Sequence, residues 1–124
     1  MDWVDKLNQW ALKRIRGEAT ERVEADQDGI VLIRARGNQL IRWSEIEEIA
    51  AMKQPQLADG SFALAIRRAD SAVAVVDDTV TGFAEFCQEL TRRLTNVVPY
   101  ERWAVELVAS SQEDGKVIFR RPAS

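Results

Sequence analysis

The side chains able to do chemistry are one thiol, Cys87, and short runs of carboxylates and guanidinium groups. Histidine is absent, which removes Ser–His and Cys–His nucleophilic pairs, imidazole metal ligation and a histidine pH switch. Cys87 falls in the pattern Phe83, Cys87, Leu90, Leu94, whose steps of four, three and four place it on the apolar stripe of a helix. A free cysteine there behaves as a small hydrophobe, and without a neighbouring base a reactive thiolate has no support. A single cysteine also rules out an intrachain disulfide and a cysteine-rich zinc site.

Glu45, Glu47, Glu48, Asp77 and Asp78 are the acidic clusters dense enough to suggest acid–base or hard-metal chemistry. On a strand Glu47 and Glu48 point to opposite faces, so they do not converge on one ion. Asp77-Asp78 precedes a helix, where backbone N–H groups attract carboxylates. Solvated or capping roles are the simpler reading. Glycine-rich phosphate loops, paired-cysteine spacing and dinucleotide fingerprints are missing from the sequence. No catalytic, metal or cofactor residues are therefore assigned, no cofactor is expected, and the chain reads as a non-enzyme.

Arginine pairs occur at Arg67-Arg68, Arg92-Arg93 and Arg120-Arg121. Adjacent strand residues face opposite ways, so a strand pair cannot make one patch. Arg34, Arg36 and Arg42 are candidates for a shared basic stripe on a hairpin turning at Gly37-Asn38, suited to an acidic protein or a phosphate. Trp3, Trp10, Trp43 and Trp103 are the informative aromatic surplus. Trp43 reads as core. Trp3, Leu7 and Trp10 share one helical face that must be covered by the same domain, a second copy or a lipid interface. Trp103 and Phe119 raise the same question at the other end of the chain, where an exposed strand edge could pair with a twin. Trp3, Leu7, Trp10, Arg34, Arg36, Arg42, Trp103 and Phe119 are thus the candidate partner or membrane contacts.

The elements that position these groups follow from periodicity. Residues 1–17 form an amphipathic pattern, with Asp2 and Asp5 in the first turn, Lys13, Arg14 and Arg16 in the last, and Gly17 as a stop. Strands are expected at Thr20–Glu24, Gly29–Ala35 and Gln39–Trp43, with Asp26-Gln27-Asp28-Gly29 turning the first pair. A corner at Ser44-Glu45 leads into a strand through Ile49, with a short helix as its competitor. Pro55 and Ala58-Asp59-Gly60 close that unit. Ser61–Arg68 alternates with Phe62, Leu64 and Ile66 on one face, and Ala72–Val76 returns. Thr81 is placed to cap a helix from Gly82 to about Leu94. Over 100–121 a hairpin is chosen, because Trp103, Val105, Leu107 and Ala109 alternate. A helix from Tyr100 to Ser110 competes, since Tyr100, Trp103 and Leu107 also fit its spacing.

The chain has 124 residues, with 17 Lys plus Arg against 20 Asp plus Glu and a formal net charge of −3. One domain spanning 1–124 is expected, large enough to fold without disulfides or metals. Mild acidity argues against a nucleic-acid partner. No run approaches the roughly 18 to 20 apolar residues of a membrane span, and the charged N-terminus is unlike a signal peptide. A cytoplasmic location is expected.

Gly29-Ile30-Val31-Leu32-Ile33, the corner Ile41-Arg42-Trp43-Ser44-Glu45-Ile46-Glu47-Glu48-Ile49, and Phe83-Ala84-Glu85-Phe86-Cys87-Gln88-Glu89-Leu90 give residues 19–95 a recognisable order. In that order they resemble the pleckstrin-homology-like superfold of small bacterial proteins. The resemblance implies an α+β fold: an antiparallel barrel or bent sheet capped by the Phe83–Leu94 helix. The 1–17 helix and the 100–121 hairpin are additions to it. It also implies phosphoinositide binding on the first strand loop, but Asp26-Gln27-Asp28-Gly29 is acidic where cations would hold phosphate, so that use is not expected. The remaining expectation is a non-catalytic protein–protein module, self-associating or of the immunity-inhibitor kind, with membrane contact through the Trp3–Ile15 helix as the alternative.

Overall fold

The computed structural model describes residues 20–35, 37–54, 61–109 and 115–122. The helix expected over 1–17 and the Ala58-Asp59-Gly60 turn lie outside the described residues. The described residues form β1 (Arg22–Ala25), β2 (Gly29–Arg34), β3 (Gly37–Arg42), a 3-10 turn (Trp43–Glu45), β4 (Ile46–Gln54), β5 (Ser61–Arg68) and β6 (Val73–Asp77). Helices α1 (Phe83–Arg93) and α2 (Tyr100–Ala109) follow, and then β7 (Lys116–Arg120).

These elements build two antiparallel sheets, one ordered β1-β2-β3 and the other β6-β5-β4-β7. The fold is α+β, as the residue patterns require. It is not a closed barrel. The sheets are joined by the 3-10 corner, and one parallel bridge ties Arg22 of β1 to Thr81 just ahead of α1, where the Val23 N–H donates to the Thr81 carbonyl at 2.9 Å. The barrel expectation fails because β3 passes into β4 by that corner rather than pairing with it.

Alternation fixes what each sheet buries. Val23, Ile30, Leu32 and Ile41 from the first sheet join Ile49, Ala51, Leu64 and Ile66 from the second in one core. Helix α1 adds Phe83, Phe86, Cys87 and Leu90, with Leu94 just beyond its end, so the expected stripe seals both sheets. Each large side chain so buried contributes on the order of 1.5–3 kcal/mol. Thr81 does not cap this helix: Gly82 is the N-cap, in the left-handed region at φ 90°, and no side chain takes that role.

A further correction concerns 100–121, which is not a hairpin. Tyr100–Ala109 is helical, and the Arg102 and Trp103 N–H groups donate to the Pro99 carbonyl at 3.0 and 3.1 Å. The helical spacing wins because Trp103, Ala104 and Leu107 reach the core together, whereas Val105, grouped with Trp103 by the alternation, is 67% exposed. The return strand does form, as β7, but it pairs with β4 in a distant register, Ile49 opposite Phe119.

Another concerns the β2–β3 turn. Arg34 lies opposite Gly37 and Gly29 opposite Arg42, so the connection precedes Gly37, which opens β3 at φ 132°.

Candidate functional site

Chain reversal between the two helices leaves a concavity on one side of the molecule. After α1 the chain turns through Asn96, which takes the left-handed region at φ 64°, and Pro99 starts α2. The first turn of α2 therefore lies beside the first half of α1, with the Phe83 and Tyr100 rings edge-to-face at 6.4 Å. Between them runs a groove of about 470 Å³. Its apolar lining includes Phe83, Cys87 and Tyr100, and its carboxylates are Asp78, Glu85 and Glu101. Tyr100 is exposed, although its ring also packs edge-to-face on the buried Trp103 at 4.9 Å.

The field in this groove is readable at Cys87. Burial, and then the negative charge of Glu101, pushes its thiol up to about 12 from an ordinary 9.0. At neutral pH the group is protonated and is no nucleophile. The same charge that disfavours a thiolate favours a cation, and the Phe83 and Tyr100 rings that line the groove add to that preference. Chemically, the groove suits an ammonium or guanidinium group carried on an apolar stem.

The candidates drawn from sequence are dispersed. Trp3, Leu7, Trp10 and Arg36 lie outside the described residues. Trp103 is 1% exposed and stacks edge-to-face on Phe62 at 5.6 Å, and Phe119 is buried as well, so both belong to the core rather than to a contact surface. Arg34 and Arg42 do not form one stripe, since the β2–β3 register puts them on opposite faces at opposite ends of the hairpin. Arg34 donates to the Gln39 side-chain oxygen at 2.8 Å, and Arg42 is exposed. Trp43 is half-buried against the core, its indole N–H donating to the Asp26 carbonyl at 2.8 Å.

The acidic first loop closes on itself: the Asp28 and Gly29 N–H groups donate to Asp26 Oδ1 at 2.8 and 3.3 Å. Glu45 pairs with Arg68 at 2.7 Å near one end of β5. Asp77 sits opposite Ala63 toward the other end of β5, accepting from the Thr79 N–H at 2.9 Å, and the two carboxylates do not converge. Among the described residues no group of three or more His, Cys, Asp or Glu side chains is placed to hold a metal ion. No helix among them is long and apolar enough to cross a membrane.

Two groupings were invisible in the sequence. One is the groove, which depends on α2 being a helix. The other is a charge cluster on the outer face of the second sheet. There Glu48, 9% exposed, accepts from Arg67 at 2.6 Å and from Arg120 at 3.4 Å. One member of each of two arginine pairs is used, as alternation requires. Arg121 instead donates to the Ile46 and Trp43 carbonyls at 2.8 and 2.6 Å. No family model, curated protein or solved structure matches the chain.

Proposed function

We propose that the chain is a non-catalytic binding module whose groove between α1 and α2 takes a Lys- or Arg-bearing segment of a protein partner. The observation that carries this reading is a groove lined by three carboxylates, Asp78, Glu85 and Glu101, together with the Phe83 and Tyr100 rings, and by no Lys or Arg among the described residues. Carboxylates at the rim steer a cation in, and the aromatic floor accepts its methylene stem. The protonated Cys87 thiol supports a binding role over covalent chemistry. Two antiparallel sheets sealed by an amphipathic helix support the pleckstrin-homology-like resemblance as part of the same proposal, with the acidic groove standing in for the basic head-group loop. A cytoplasmic partner, including an inhibited toxin, fits this chemistry.

An array of Lys- and Arg-containing peptides, with Glu-substituted peptides of matched hydropathy, tests the reading by amide shift mapping. The expected result is shifts at Phe83, Cys87, Tyr100 and Glu101 with basic peptides alone. A doubly substituted Glu85→Lys/Glu101→Lys protein should bind about tenfold or more weakly, roughly 1.4 kcal/mol, with its spectrum otherwise intact. Equal binding of acidic peptides, or shifts confined to other surfaces, would overturn it.

A further inference from the structure

Each antiparallel sheet has two edge strands, β1 and β3 in the first and β6 and β7 in the second. An edge offers unpaired N–H and C=O groups to any strand that can reach them. Two of these edges are engaged within the chain. The Val23 N–H of β1 donates to the Thr81 carbonyl, and the Ile118 carbonyl of β7 accepts from the Val98 N–H at 3.0 Å. Strand β3 differs. Its strand partner among the described residues is β2 alone, and the register between them is unbroken. It carries no proline or lysine, and its one charge, Arg42, stands at the end.

The Val23–Thr81 bond also fixes which way the β3 backbone faces. Because the Val23 N–H points away from β2, Val23 and Leu32 are a non-hydrogen-bonded pair. Alternation then makes Leu32 and Gln39 the hydrogen-bonded pair between β2 and β3. Asn38, Leu40 and Arg42 therefore turn backbone groups to the open edge, and among the described residues no backbone group meets them there. Their side chains share the outer face of the sheet and are all exposed, Leu40 at 43%. Half-buried Val31 lies opposite Leu40 in the register, with Ile33 on the same face of β2.

We infer that β3 pairs antiparallel with β3 of a second copy, about a two-fold axis at Leu40. Antiparallel strands join through the residues whose backbone groups point outward. Leu40 thus meets Leu40 of the second copy, exchanging N–H and C=O, and each Arg42 N–H reaches an Asn38 carbonyl across the axis. The side chains are self-complementary too. Two exposed leucines cover each other, Val31 extends the apolar row on either side, and an amide faces a guanidinium with no like charges opposed. Strand β6 lacks this match. There the Arg68–Ala72 bond turns Val73, Val75 and Asp77 outward, and a two-fold at Val75 sets the Asp77 carboxylate against Val73.

One short strand edge buries less than a standard interface, so the dimer is weak, with a dissociation constant on the order of 100 μM. The groove between α1 and α2 is lined by no residue of β3, so this inference and the proposed function can fail independently.

Sedimentation equilibrium of the full chain, from about 10 μM to about 1 mM, tests it. The expected result is a reversible monomer–dimer equilibrium, with cross-relaxation between Gln39 and Ile41 Hα protons of differently labelled copies. Leu40→Lys and Leu40→Glu each oppose like charges at the axis, and each protein alone should self-associate at least about tenfold more weakly. Mixed, the two should dimerise again, because a two-fold at residue 40 sets Lys against Glu. Asn38→Glu should tighten the dimer against Arg42 and Asn38→Lys should loosen it, a second readout if Leu40→Lys disturbs folding. A chain still monomeric at about 1 mM would overturn the inference. So would a dimer that Leu40→Lys leaves intact, charged variants that stay apart when mixed, or Asn38 variants that shift the equilibrium alike.

Discussion

Cys87 is 6% exposed, and its thiol keeps its proton to about pH 12, first because burial disfavours the thiolate and second because Glu101 repels it. In the unfolded chain the same thiol titrates near 9.0. Below that value both states hold the proton, and the contribution of Cys87 to stability is complete. Between about 9 and 12 the unfolded chain releases a proton that the folded chain retains, so rising pH favours unfolding. The slope reaches up to about 1.4 kcal/mol per pH unit. Urea unfolding of wild type and Cys87→Ala from pH 8 to 10.5 isolates this effect from other titrations. The variant should be about 1–2 kcal/mol weaker at pH 8 through its small cavity, and that deficit should shrink as pH climbs. Two curves that stay parallel would show that the thiol ionises as readily inside as out.

Strands β4, β5 and β7 are joined on their outer face by Glu48 between Arg67 and Arg120. The pair with Arg67 is mostly shielded, whereas the Arg22–Glu24 pair on β1 has both side chains more than half exposed. Shielding decides which matters, since exposed pairs contribute about 0–1 kcal/mol and charge-assisted bonds away from water about 1.5–3. Glu48→Gln should therefore cost about 1.5–3 kcal/mol in denaturant unfolding, and Glu24→Gln less than about 1. Equal losses would mean that the cluster is as well solvated as the surface pair. This cluster also shows where sequence reading stops. The Arg120–Glu48 contact spans 72 residues, and pairing register at that separation leaves no local trace. By contrast, Ser61–Arg68 and the Phe83–Leu94 stripe were legible because period two and period 3.6 are each unambiguous there. Tyr100–Ala109 satisfies both periods, and only the fit of Trp103, Ala104 and Leu107 to the core separates them. The groove was hidden for that reason: its Tyr100 wall exists only if the segment is a helix.

The molecule as a whole depends on how two unclosed sheets are held to one helix. At Thr81-Gly82 the backbone of β1 meets the start of α1 directly. Gly82 has φ 90°, and a Cβ there would overlap the Val23 carbonyl oxygen, so a side chain is excluded twice, by conformation and by space. Gly37 also has positive φ, 132°, but a Cβ there would meet nothing within 4 Å. Comparing the two separates backbone strain from the approach of β1. Gly37→Ala should cost about 1–3 kcal/mol, the strain of an unfavourable φ alone. Gly82→Ala adds displacement of β1, loss of the Val23–Thr81 hydrogen bond and a gap beside Val23 and Phe83, for a total of roughly 3–5 kcal/mol. That is a large share of the roughly 5–15 kcal/mol holding a domain together, so its thermal transition should fall well below that of Gly37→Ala. Amide exchange should quicken across β1, β2 and β3 together in Gly82→Ala, while β4 and β5 keep their protection until global unfolding. Equal transitions in the two variants would mean that the first sheet is held by its own hairpins rather than by the Thr81-Gly82 junction.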